Sequence, residues 1–190
     1  MNRARVEQLV GELVGELVGA REAARLSDTP AGVAAWLAAR AVGSLEAPGP
    51  GPSAESPSRS DAGLTVARDL ELVSLCEHHL LPFFGRCHLA VLGGRRPEPG
   101  WPRGVVAATA GRLQLQERLT EEIARRLVTE LAPRGVAVAI EARHLCMQMR
   151  GVAKQRATVS TSSVWGELRE PAIRAQFIAQ AIGRGREAAP

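Results

Sequence analysis

Near the start of the chain the apolar positions fall at Val6, Leu9, Val10, Leu13, Val14, Leu17 and Val18. Steps of three and one draw a stripe along one side of a helix. Gly11, Gly15 and Gly19 interrupt it, each weakening a helix by about 1 kcal/mol relative to Ala. Such a helix needs a partner surface. Ser27-Asp28-Thr29-Pro30 predicts a second helix start, with Thr29 as N-cap and Pro30 at the first helical position. That helix runs through Val33, Trp36, Leu37 and Val42. From residue 46 to 63 the chain reads EAPGPGPSAESPSRSDAG, a Pro/Ser-rich stretch with nothing to pack, hence a linker.

Beyond it, LTVARDLELVSL at 64–75 and FFGRCHLAVL at 83–92 read as strands. GGRRPEPGWPRG, rich in Gly and Pro, reads as a loop. Helix is expected to return at about Gln116, with Leu119, Ile123, Leu127 and Leu131 on one face, and to stop at Pro133-Arg134-Gly135. GVAVAIEARHLCMQMRG, 135–151, is the strongest strand pattern. Period two would put Val136, Val138, Ile140, Ala142, His144, Cys146 and Gln148 on one face. A polar tract, TVSTSS, precedes a closing helix that includes Ile173, Phe177, Ile178 and Ile182. The pattern predicts an α+β protein: a helical arm over 1–45, a linker over 46–63, and a catalytic domain over 64–190.

Composition narrows this little. With 190 residues one core is expected, and with no Tyr and few other aromatics it must be aliphatic. The net charge of +4 suits an anionic small molecule as well as a solvated surface. Basic blocks interleaved with aromatics are lacking, which argues against nucleic acid. The first helix carries too little positive charge for a membrane-surface role. No run has the length of a transmembrane span, and the N-terminus has no continuous apolar region of a signal peptide. Three Cys, at 76, 87 and 146, fit thiolates kept reduced for a metal better than a disulfide framework. The expected compartment is cytoplasmic.

The chemistry concentrates at SLCEHHLLPFFG, 74–85. Cys76 and His79 are spaced C-x-x-H, so a tight turn can aim both at one ion, with Cys146 as a third ligand. Two thiolates and an imidazole suit Zn2+. Three protein ligands leave a position for water, and His78 and His144 would then stand beside the metal as proton carriers. From spacing alone, a structural zinc with His78, Cys87 or His88 as fourth ligand fits as well. Cys87 is the natural core residue of the Cys87-His88 pair. Glu77 reads equally as a solvated acid, Gln116 and Glu117 as helix-opening residues, and Arg150 as a surface charge.

CEHHLLPFFG, LQLQERLTEEIA and GVAVAIEARHLCMQMRG, together with LSDTPAGVAAWLA upstream, resemble GTP cyclohydrolase I, over about residues 26 to 182. The resemblance implies a tunnelling fold: antiparallel sheets from several subunits closing into a barrel with helices packed on one face, usually as a homodecamer with sites between subunits. It implies hydrolytic opening of the guanine imidazole ring of GTP, formate release, and 7,8-dihydroneopterin triphosphate as product, in a folate or related pterin pathway. Carried over by motif, Cys76, His79 and Cys146 match the zinc ligands, His78 and His144 the proton-transfer histidines, Gln116 and Glu117 the guanine pocket, and Arg150 a triphosphate contact.

One interval departs. Where the family carries Gly-Leu-Ser-Lys opening a helix, with an Arg one turn later, this chain reads PEPGWPRGVVAATAGR. Gly100 and Trp101 stand in the Ser-Lys positions, and Arg103 is the nearest basic replacement. The Pro and Gly content argues against a regular helix at that start. The departure leaves two alternatives beside a full cyclohydrolase: a diverged zinc hydrolase acting on another purine nucleotide or pterin, or an inactive zinc-binding paralogue.

Overall fold

The computed structural model describes residues 1–41, 63–95, 98, 100–149 and 156–181. Val42, Arg150, Ile182 and all but the last residue of the expected linker lie outside them. The chain forms two compact units, Met1–Gly43 and Ser44–Pro190.

The first unit is helical. α1 spans Arg3–Val18, and the Asn2 side chain caps it by accepting from the Arg5 N–H at 3.0 Å. A short α2, Ala20–Ala23, leads through a 3-10 turn to α3, Thr29–Ala41, which packs against α1. α3 begins one residue before the expected start. The Asp28 carbonyl accepts the Gly32 N–H, so Asp28, rather than Thr29, holds the N-cap position.

The second unit is a five-stranded sheet in the order β3-β1-β2-β4-β5. β1, Leu64–Cys76, and β2, Pro82–Leu92, pair antiparallel. α4, Trp101–Ala110, follows. A two-residue β3, Leu113–Gln114, then runs parallel to the end of β1 and feeds α5, Gln116–Leu131. β4, Gly135–His144, pairs with β2 along its whole length and leads to a one-turn α6, Leu145–Gln148. β5, Val159–Gly166, lies on the other side of β4, and α7, Pro171–Ala181, closes the described chain.

Two of these elements correct the sequence reading, and a third adds to it. α4 occupies a stretch read as loop. Pro102 sits in its first turn, where no intrahelical N–H is needed, so proline opens the helix instead of breaking it. The β4 pattern does not run to Gln148: the strand stops at His144, and Leu145–Gln148 coil into a helical turn closed by Met149 N–H to the Leu145 carbonyl. The TVSTSS tract is the body of β5, a polar strand that among the described residues is paired on one side only.

α4 and α5 cover one face of the sheet. Leu119, Ile123, Leu127 and Leu131 of α5 are buried there against Val136, Val138 and Ile140 of β4 and Cys87 and Leu89 of β2. Each such side chain contributes roughly 1.5–3 kcal/mol. α7 lies on the opposite face, where Phe177 and Ala181 meet Ala90, Ala137 and Ala139. β4 is thus covered on both sides, which explains its nearly continuous apolar run. β2 and β4 approach closely at Gly85, where a Cβ would run into the Glu141 carbonyl. That approach carries the register in which Phe83 faces His144.

Candidate metal centre

β1, β2 and β4 all reach one end of the sheet. Cys76 is the last residue of β1, Phe83 the second of β2, and His144 the last of β4. Between β1 and β2 the chain turns tightly. The Cys76 N–H donates to the Leu81 carbonyl at 2.9 Å, and the Cys76 carbonyl accepts from His79 and Leu80 at 3.3 and 2.8 Å. Leu80 takes φ 55° to close the turn, at a cost of roughly 1–2 kcal/mol for a residue with a Cβ. The Glu77 N–H donates to the Gln114 carbonyl of β3 at 3.1 Å, so the turn is tied to the residue that precedes α5 by two.

This turn aims Cys76 and His79 the same way, and α6 brings Cys146 to them. Their ligand atoms all lie within 4.8 Å of one another. Cys76 Sγ is 3.7 Å from His79 Nδ1. Two ligands at the tetrahedral angle on zinc, with bonds of about 2.0–2.3 Å, stand about 3.5–3.8 Å apart. The donor set and its spacing therefore fit a zinc ion. Among the described residues no fourth His, Cys, Asp or Glu joins the cluster. Cys87 is fully buried in the core, and burial pushes its thiol far above the ordinary range. The imidazole of His88 accepts the Asp69 N–H at a β-bulge in β1. Neither is part of the centre, which removes two of the three fourth ligands that a closed structural site could have used.

His144 is fixed from two directions. Its ring stacks on Phe83, with centroids 4.6 Å apart and planes 3° from parallel. Its Nε2–H donates to Gln116 Oε1 at 2.7 Å. The Gln116 amide cannot be turned around, because its NH2 already faces acceptors: Ile140 O at 3.2 Å, Val159 O at 2.9 Å and Thr161 Oγ1 at 3.1 Å. Thr120 Oγ1 donates to the Gln116 carbonyl, so Thr161 donates to Thr120. Every proton in this chain of bonds has one direction, and the neutral His144 carries its proton on Nε2. Burial holds its pKa below the usual histidine range, opposed by the carboxylate of Glu117. Gln116 itself is 2% exposed. Its side chain joins His144 to the β4–β5 pair.

The other expected residues are more exposed, apart from Trp101. His78 is exposed at the turn, edge-on to His79 with centroids 6.0 Å apart. Glu117 is exposed in the first turn of α5. Arg103 points to Glu71 of β1 at 3.8 Å and is largely exposed. Trp101, which stands where the resemblance implies a Lys, is 2% exposed and packs in the core beside Val105 and Val106. Sequence reasoning missed the pair between Glu77 and Arg118, whose hydrogen bond holds the Glu77 carboxyl below the usual carboxylate range. It also missed the Phe83 stack. The signal for the latter was present, since Phe83 stands near the start of a strand, two residues beyond CEHHLL.

The model of the family described as GTP cyclohydrolase I matches residues 6–182. Proteins named GTP cyclohydrolase 1 are similar to this chain. That of Methylococcus capsulatus is 49% identical over 123 residues, 64% of this chain and 66% of that protein. That of Leptospira biflexa is 47% identical over 119 residues, 61% and 64% of the two chains. That of Campylobacter lari is 46% identical over 121 residues, 62% and 63%. The chain thus spans just under two thirds of these relatives' length. Among solved structures, the archaeosine synthase QueF-Like in the apo form aligns with a TM-score of 0.46 and 14% identity over 56% of this chain and 97% of that one, too distant to bear on function.

Proposed function

Because this chain belongs to the GTP cyclohydrolase I family, we propose that it is a zinc-dependent cyclohydrolase. It would open the imidazole ring of the guanine of GTP by hydrolysis, release C8 as formate and yield 7,8-dihydroneopterin triphosphate. The α+β architecture is the tunnelling fold of that family. The observation that carries the reading is the cluster of Cys76, His79 and Cys146, three ligands with no fourth among the described residues, two residues away from a histidine of fixed tautomer. Zinc bound there supplies a water that ionises near neutral pH.

The protein's own groups do the rest. With Nε2–H committed to Gln116, His144 exchanges protons with substrate at Nδ1, and its lowered pKa keeps that atom unprotonated and ready to accept. His78, exposed beside the ligand turn, is the second proton carrier. The Glu117 carboxylate is the acceptor for the adjacent N–H donors of guanine. Arg150 and Arg103 are the candidates for the triphosphate. Assembly into a homo-oligomer, in the family's usual form a decamer, would give β3 and β5, the outer strands of the sheet, partners. Cys76 and Cys87 are free thiols, which suits a reducing, cytoplasmic setting. No helix among the described residues is long and apolar enough to cross a membrane.

A second reading has one specific observation in its favour. Trp101 replaces the family's Lys and is buried, which supports a zinc hydrolase of the same fold acting on a purine nucleotide or pterin without a full triphosphate. Incubating zinc-loaded protein with GTP and following formate and pterin together separates the two. Both products support the first reading. Neither product, with zinc bound stoichiometrically, defeats it, and turnover of guanosine or a reduced pterin would then establish the second.

A further inference from the structure

Glu77 lies between the two ligands of the turn and is not a member of the ligand cluster. Its carboxylate is instead engaged by Arg118 of α5, 41 residues along the chain. Arg118 is itself oriented. Its Nε donates to Gln114 Oε1 at 3.1 Å, and the buried Gln114 amide donates to Thr109 O at 3.2 Å and to Glu122 Oε2 at 2.8 Å. Arg112 reaches the same Glu122 carboxylate. The side chain of Gln114 thus joins α4, α5 and Arg118, while its backbone carbonyl receives the Glu77 N–H. The stretch between Cys76 and His79 is held at both its main chain and its side chain.

The pair has two consequences for a metal. It fixes the residue between the ligands, so the turn needs no ordering when the ion arrives. It also commits the one carboxylate on the turn to a cation, so that Glu77 does not fill the position that three ligands leave open.

We propose that Arg118 is a positioning residue of the metal centre, holding the Cys76–His79 turn in its ligand-bearing form through Glu77. The inference rests on the reading of Cys76, His79 and Cys146 as a metal site. It does not depend on the identity of the substrate.

The test is zinc affinity and zinc dissociation into a chromogenic chelator, measured with Zn2+ alone on the full chain, for Arg118→Met, Glu77→Gln and the double variant. Partners that orient metal ligands typically contribute about 10- to 100-fold in affinity. Arg118→Met is expected to weaken zinc about tenfold, Glu77→Gln by a similar factor, and the double variant no further than either alone. Arg118→Lys should recover part of the loss. Arg125→Met, which removes an exposed pair with Glu121 on the same helix, should leave zinc unchanged. The melting temperature of the zinc-free protein should be the same in Arg118→Met as in the wild type. Wild-type zinc affinity in Arg118→Met, losses that multiply in the double variant, or a weakened site matched by an equally destabilised zinc-free protein would each overturn the proposal. A wild type that takes up no zinc overturns the metal reading and this inference with it. Zinc uptake without GTP turnover touches only the proposed function.

Discussion

Replacing Gln116 by Met isolates the bond that orients His144. Met keeps the length and volume of the side chain, so the site between α5, β4 and β5 stays filled. What disappears is the set of polar contacts: the acceptor for His144 Nε2–H and the donor to Val159 O, Ile140 O and Thr161 Oγ1. An unsatisfied buried donor or acceptor costs about 1–3 kcal/mol. Strand carbonyls keep partial satisfaction from the ladder, and half-buried His144 can find water. A net destabilisation of about 2–3 kcal/mol is therefore expected, which in a domain of this size lowers Tm by about 5–10 °C. Activity should fall further than stability does. The ring still stacks on Phe83 but is no longer held to one tautomer, so part of the population presents an N–H where a lone pair is needed. Thermal melting gives the first quantity and single-turnover formate release the second. Histidine nitrogen chemical shifts in labelled protein report the tautomer directly. A variant that melts with the wild type and keeps the Nε2–H form would refute this role for Gln116.

Other outcomes follow from the same geometry. Cys146→Ala should abolish zinc binding, because two ligands rarely hold the ion; stoichiometric zinc in that variant, measured by elemental analysis, would sink the assignment. His144→Ala should retain zinc and lose turnover, and unchanged turnover would remove its proton-transfer role. His88 is buried with its pKa below the ordinary 6.5, chiefly through desolvation, with Asp69 and Glu141 opposing and Arg86 and Arg68 assisting. A depressed folded-state pKa contributes stability that is present above pH 6.5 and lost as pH falls from there through the folded value. Melting temperature should drop over that acid range, and less steeply in His88→Gln; parallel profiles would show that His88 is not responsible. Leu127→Ala, at a fully buried contact of α5 with the sheet, should cost about 2–5 kcal/mol in denaturant unfolding.

What the sequence made legible was whatever a period could carry. The four-residue spacing of Leu119, Ile123, Leu127 and Leu131 places α5 and its buried face at once, because nothing tertiary competes with so regular a stripe. The C-x-x-H spacing likewise needs only a tight turn. The failures have a common cause: local signals were overruled by position. Pro102 breaks a helix interior but opens one at its first turn. TVSTSS has no apolar alternation to mark it, and becomes a strand because β4 offers it hydrogen bonds. Cys146 reaches the cluster although the alternation that was supposed to aim it ends two residues earlier; a helical turn does the aiming instead. The Glu77–Arg118 pair spans 41 residues and leaves no local trace at all.

The burial of Trp101 changes how the missing Ser-Lys pair should be read. In the core, Trp101 packs with Val105, Val106 and other apolar neighbours, so Trp101→Lys would place a charge there and destabilise the protein without presenting a cation to substrate. If the substrate is GTP, as proposed, its phosphate end has to be met from elsewhere, and Arg103 is the one cation in α4's first turn. Its present partner is Glu71, at 3.8 Å, with side chains 77% and 72% exposed. A pair of that kind holds by about 0–1 kcal/mol, little enough for a triphosphate to displace. If Arg103 exchanges Glu71 for phosphate, Glu71→Gln should lower KM for GTP a few-fold and leave kcat alone, since the competition it removes acts on binding only. Arg103→Ala should raise KM for GTP more than for guanosine. Equal effects on the two substrates, or no change in KM with Glu71→Gln, would mean that Arg103 stays paired at the surface and takes no part in reading the nucleotide.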